Sequence, residues 1–113
     1  MVKVEIVRSL LDQIKSKFKS ESHKILDILE TLEENPSKGK LIGNVGGILI
    51  KELKYKNFRF YFLVDGYRLK FLSVEELTDL LLRFVRMSDK KHQQKAIDEI
   101  RHILRTIGPK GFI

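Results

Sequence analysis

The stretch ILIKELKYKNFRFYFLVDGYRLKFLS, residues 48–73, constrains the fold more than any other part of the chain. Apolar and polar residues alternate along most of it, and a two-residue period sends successive side chains to opposite faces of a strand. Asp65-Gly66 between two such segments is a strong signal for a two-residue hairpin turn. That turn sets Val64 opposite Tyr67, Phe62 opposite Leu69 and Phe60 opposite Phe71, which gives one apolar face. Lys56-Asn57 reads as a similar turn, with Lys54 opposite Arg59 and Glu52 opposite Tyr61. In this register the other sheet face carries Glu52, Lys54, Arg59, Tyr61, Arg68 and Lys70, a cationic platform with one acid and one aromatic. The same register places Lys51 among apolar side chains, and a bulged turn would reverse the two faces.

The flanks add helices and further strands. VKVEIVR (2–8) alternates as a strand. Ser9 then opens a helix in capping-box style with Asp12 three residues on, and Leu10, Leu11, Ile14 and Phe18 share one face. KSES (19–22) offers a second serine cap before Ile25, Ile28, Leu29 and Leu32, and Asn35-Pro36 stops that helix. SKGKLIGNVGG (37–47) reads as a flexible Gly-rich loop. It is not a phosphate-binding loop, because Gly39-Lys40 is followed by Leu41 rather than Ser or Thr. Residues 73–87 are open to two readings. SVEE resembles a capping box, with Leu77, Leu80, Leu81, Phe84 and Val85 at helical spacing. LLLRFVRM (80–87) also fits a strand returning to the sheet after a short VEELTD excursion, and the strand is preferred. A final helix is capped by Ser88 or Asp89, buries Ala96, Ile97, Ile100, Ile103, Leu104 and Ile107 on one face, and ends at Gly108-Pro109. The expected class is α+β: an N-terminal strand and helical hairpin packed on a small antiparallel sheet, with a C-terminal helix.

At 113 residues the chain fits a single domain, residues 1–113, with 42% apolar and 33% charged residues. No apolar run approaches the length of about 20 residues that a bilayer span requires, and no signal peptide is visible, so a cytoplasmic location is expected. There is no cysteine, hence no disulfide framework. No histidines or acids share a metal-ligand spacing, so neither metal nor other cofactor is expected. The net charge of +7 is concentrated: residues 35–72 carry eight Lys/Arg against two Asp/Glu. Such a local field suits a polyanion, since neutralising phosphates releases counterions. Lys-rich strands also serve simply to protect sheet edges.

With strand, helical pair, "IKEL…FRFYF…DG" and then "RFVRMSDKKHQQ" leading into a helix, the chain resembles the RelE/ParE-type toxins, particularly the HigB-like branch. The resemblance spans roughly residues 2–105 and is sharpest at 50–63 and 83–95. It implies a RelE-like toxin domain of a toxin–antitoxin system, held inactive by a cognate antitoxin protein. Ribonuclease members of that family cleave mRNA on the ribosome without metal, whereas ParE-like members act on gyrase. Lys54 and Arg59 fall where the family places basic residues on neighbouring strands, Arg86 resembles its basic residue at the end of the last strand, and Lys90 and Lys91 match its "KK" pair at a longer spacing. His92 lies near the C-terminal His or Tyr of several members. The VEELTD connection is longer than is typical.

Metal-free RNA cleavage needs a base for the 2′-hydroxyl, cations for the phosphorane and an acid for the leaving 5′-oxygen. The resemblance and the sheet register assign Glu52 as base, Lys54, Arg59 and Arg86 as stabilisers and His92 as acid. Tyr61 would stack on a base, and Arg68, Lys70, Lys90 and Lys91 would hold the RNA backbone. Each has a plainer reading: Glu52 in a surface ion pair, Arg59 on the polar side of an amphipathic strand, Arg86 as a last-turn helix cation, and His92 idle in an exposed first turn. The alternative function is a non-catalytic, basic nucleic-acid-binding protein or a ParE-like gyrase-directed toxin.

Overall fold

Five strands form one sheet in the order β1-β5-β4-β3-β2 in a computed structural model, which describes residues 2–65 and 81–112. The strands are β1 (Lys3–Ile6), β2 (Lys40–Val45), β3 (Ile48–Tyr55), β4 (Phe58–Asp65) and β5 (Leu81–Asp89). All neighbours are antiparallel except β1 and β5, which run parallel from Lys3↔Leu81 to Ile6↔Phe84. The sheet is therefore mixed, not antiparallel throughout as expected. A parallel pair needs a long crossover, and everything between β1 and β5 provides it.

The Lys56-Asn57 turn holds the register expected of it: Lys54 faces Arg59, Glu52 faces Tyr61 and Lys51 faces Phe62. Lys56 takes a φ of 52°, the left-handed value that such a tight turn requires. The expected partners of β4 on its other side are corrected. Phe60 lies opposite Met87 and Phe62 opposite Phe84, so β5 occupies the edge assigned to residues 69–72. The strand reading of residues 81–87 holds. Gly66, the VEELTD connection, Arg68 and Lys70 lie outside the described residues.

The segment expected to be a flexible loop is mostly a strand. β2 pairs with β3 through Gly46-Gly47, whose φ values of 59° and 88° suit a two-residue hairpin, and the Asn44 side-chain oxygen accepts from the Gly47 N–H at 2.9 Å. A bulge at Ile42 shifts the register between Leu41 and Gly43, leaving Lys40 opposite Glu52.

Helices cover both faces. α1 (Arg8–Phe18) buries Leu10 and Ile14, and its Phe18 meets Phe58 edge-on at 5.0 Å on one sheet face. It begins one residue before Ser9, with Val7 as N-cap. The break follows at Lys19, held at a φ of 48°, a value that costs a non-glycine residue on the order of 1 kcal/mol. α2 (Ser22–Glu30) packs Ile25 and Leu29 inward; Ser22 donates its hydroxyl back to the Lys19 carbonyl rather than capping the helix N–H groups. α3 (Gln93–Thr106) crosses the opposite face, tied to β5 by Glu99–Arg86 and to β2 by Arg101, which donates to the Ile42 carbonyl. Gly43 lies beneath it, and a Cβ there would come within 2.7 Å of the Arg101 guanidinium, which would have to move aside. Ile97, Ile100 and Leu104 bury as expected, but Ile107 is 70% exposed, because the helix ends at Thr106 and Ile107 is already its C-cap.

The core fills both spaces. Phe60, Phe62 and Phe84 are fully buried, and the rings of Phe62 and Phe84 lie 4.9 Å apart. Each such side chain contributes about 1.5–3 kcal/mol by leaving water. Among the described residues no helix is long and apolar enough to cross a membrane.

Candidate functional site

The expected platform is divided, because α3 lies over part of it. Glu52, Lys54, Arg59 and Tyr61 do share a sheet face. Tyr61, however, is fully buried and shares a 2.9 Å hydrogen bond with the Ser88 hydroxyl. Burial pushes its phenol pKa up, only partly offset by that bond. Its ring faces are not open for a base to stack on, and that expectation is corrected.

On the β2 side of Tyr61 a cleft of about 430 Å³ opens between Lys38, Lys40, Glu52, Lys54 and Arg59. Its floor is Arg59, only 7% exposed, whose Nε lies 3.5 Å from the Glu52 carboxylate. The guanidinium is not fully satisfied: Nη1 is buried and has no hydrogen-bond partner among the described residues. A buried donor without an acceptor costs about 1–3 kcal/mol. Arg59 is thus neither an exposed strand residue nor half of a closed ion pair. It lines a cleft with three exposed lysines on the walls, and its guanidinium keeps an unused donor buried at that cleft's base.

Gly39 lets the cleft's outer wall approach the sheet. Its φ is 107°, and a Cβ there would meet Phe62 Cζ at 2.9 Å and the Glu52 carbonyl at 3.2 Å. This run brings in Lys38 and Lys40, which the sequence reading did not single out. The signal for them was Gly46-Gly47 between two apolar segments: read as a hairpin, it aligns Lys40 with the opposite strand near Glu52.

Arg86 and His92 lie in a different cleft, of about 280 Å³, with Lys17, Ser88, Asp89 and Glu99. There the charges are largely matched. Arg86 donates from Nε to Glu99 at 2.6 Å and from Nη1 to the Val85 carbonyl at 2.7 Å, and its guanidinium carbon lies 5.1 Å from the Phe112 ring centre. His92 is exposed, with Nδ1 2.7 Å from an Asp89 carboxylate oxygen that also accepts from the His92 backbone N–H. The His92 side-chain bond lowers the Asp89 pKa most, with backbone donation adding to it. Lys90 and Lys91 sit exposed on the 3-10 turn before α3.

The proposed base and acid are therefore not gathered around one position. Glu52, Lys54 and Arg59 converge; Arg86 and His92 converge elsewhere, on the far side of the buried Tyr61–Ser88 pair. Among the described residues, no group of three His, Cys, Asp or Glu is placed to hold a metal ion. Comparison with protein-family models, curated proteins and solved structures found no match.

Proposed function

We propose that the protein is a RelE/ParE-type toxin of a toxin–antitoxin system that binds single-stranded RNA, in the cell messenger RNA on the ribosome, and cleaves it without metal in the Glu52–Arg59 cleft. The observation that carries this reading is that Arg59, whose buried Nη1 has no hydrogen-bond partner among the described residues, lines one cleft together with Lys38, Lys40, Lys54 and Glu52. A phosphodiester oxygen seated in the cleft supplies the missing acceptor once the Arg59 guanidinium shifts toward it, and charge-assisted hydrogen bonds are the stronger kind. Glu52 takes the 2′-hydroxyl proton. The 2′-oxygen then bonds to the adjacent phosphorus as the bond to the 5′-oxygen breaks, and a lysine ammonium of the cleft protonates that oxygen. The products are a 2′,3′-cyclic phosphate and a 5′-hydroxyl. A lysine replaces His92 as acid because His92 belongs to the other cleft.

One observation favours a second reading, binding without cleavage, as in a basic nucleic-acid-binding protein or a gyrase-directed toxin. Glu52 is held 3.5 Å from the Arg59 Nε, and a carboxylate engaged by a guanidinium is not free to reach a 2′-hydroxyl. Expression in a bacterial host together with incubation of labelled RNA in chelator separates the two. Growth arrest with transcripts bearing 5′-hydroxyl ends is expected. Intact transcripts with retained RNA binding would overturn the cleavage step, and no binding at low salt would overturn the cleft assignment.

A further inference from the structure

Lys51 is the one cation of β3 that points away from the cleft. It is only 6% exposed, and it lies on the opposite sheet face, across from Phe62. Its ammonium donates to the Ser37 carbonyl at 2.9 Å and lies 5.8 Å from the centre of the Phe62 ring. Burial lowers its pKa from the ordinary lysine value. Packing alone does not account for an ammonium here, since methionine would fill a similar space without the desolvation cost. What the ammonium adds is its hold on Ser37.

Ser37 begins the run that carries Lys38, Gly39 and Lys40 around the sheet edge. Gly39 rests against the same Phe62 ring, so the run is fixed at two successive points, by the ammonium at Ser37 and by close packing at Gly39. Two of the cleft's four cations depend on it. We propose that Lys51 is a positioning residue for the cleft: by holding the Ser37 carbonyl from the far side of the sheet, it sets Lys38 and Lys40 to meet a phosphate seated on Arg59. This rests on the reading of that cleft as an RNA phosphate site.

The test measures binding of a labelled single-stranded oligouridylate across a salt series, with thermal denaturation and amide hydrogen exchange at residues 38–41. Lys51→Met is expected to melt at or above the wild-type temperature. It should nevertheless exchange faster at 38–41 and bind roughly fivefold or more weakly, with a shallower salt slope. Lys51→Gln keeps a neutral donor for Ser37 and should recover part of the affinity. Adding Lys51→Met to a Lys38→Ala/Lys40→Ala variant should cause little further loss, because coupled residues do not add. Unchanged affinity and salt slope in Lys51→Met would overturn the proposal, as would a full additive loss in the background lacking both lysines. If the wild type binds no RNA, the reading of the cleft fails; unchanged exchange at 38–41 in Lys51→Met would separately refute the hold on Ser37.

Discussion

Arg59 and Arg86 stand on neighbouring strands, yet they have opposite surroundings. Arg86 has its Nε on Glu99, its Nη1 on the Val85 carbonyl and Phe112 against its guanidinium. Arg59 is more deeply buried, has a longer contact to one acid, and keeps one Nη with nothing to donate to among the described residues. Degree of burial alone would rank Arg59 as the structural residue and Arg86 as the functional one. Hydrogen-bond accounting reverses the order. A satisfied guanidinium gains little from an incoming phosphate, because it must first give up its present partners. An orphaned one gains most of a charge-assisted bond.

The sharpest way to break this contrast is Arg59→Lys. Lysine keeps a cation beside Glu52, avoiding the loss of about 3–5 kcal/mol expected when one partner of a buried pair is removed. It lacks the planar fork and so loses the Nη1 donor. RNA affinity, measured by fluorescence anisotropy, should fall at least about tenfold, and cleavage should fall with it. Unchanged affinity would mean that the unpartnered donor serves no ligand. Arg59→Ala is a poorer probe than the sequence suggests, since Arg59 is not an exposed strand position.

The second expected effect tests the other half of the contrast. Arg86→Ala should lower stability by about 1–2 kcal/mol, read from urea midpoints, through loss of the Glu99 pair, the Val85 contact and the Phe112 ring. Its RNA affinity should stay within about threefold of wild type, as expected for losing one distant charge. A large affinity loss with normal stability would move the phosphate site to the Arg86 cleft and restore the wider constellation expected from the sequence.

The central hairpin was legible because period-two alternation and a turn dipeptide determine register together, and that register places Glu52, Lys54 and Arg59 side by side. Three things were not. Alternation says which residues share a face but not what covers it, so the burial of Tyr61 under α3 was invisible. The two glycines after Val45 suit a flexible loop by composition, but paired glycines between apolar segments also make the tightest hairpins, and only the hairpin brings Lys38 and Lys40 to the cleft. The Asp65-Gly66 signal suggested a local partner for β4, whereas residues 83–89 make the pairing along Phe58–Leu63. Local turn chemistry does not report long-range competition for a sheet edge. Pairing of guanidinium donors is three-dimensional as well, which is why Arg59 and Arg86 looked alike in sequence.

The smallest effect lies at Asp89, in the cleft where charge is already matched. Its carboxylate accepts from the backbone and ring of His92, and its folded pKa is lowered from the ordinary 3.8. A lowered folded value means that the stabilisation is fully present above the unfolded pKa and is lost as pH falls through the folded one. Asn at this position caps a helix turn about as well as Asp but cannot ionise. Asp89→Asn should therefore melt slightly below wild type at neutral pH, and the gap should close as the pH drops below about 3.8. RNA affinity should be unchanged or marginally higher, since one acid has been removed at a distance from Arg59. A clear loss of affinity would tie the Asp89–His92 pair to the RNA and put His92 back among the residues acting on the phosphate. A gap that persists in acid would instead trace the effect to packing rather than to the carboxylate's charge.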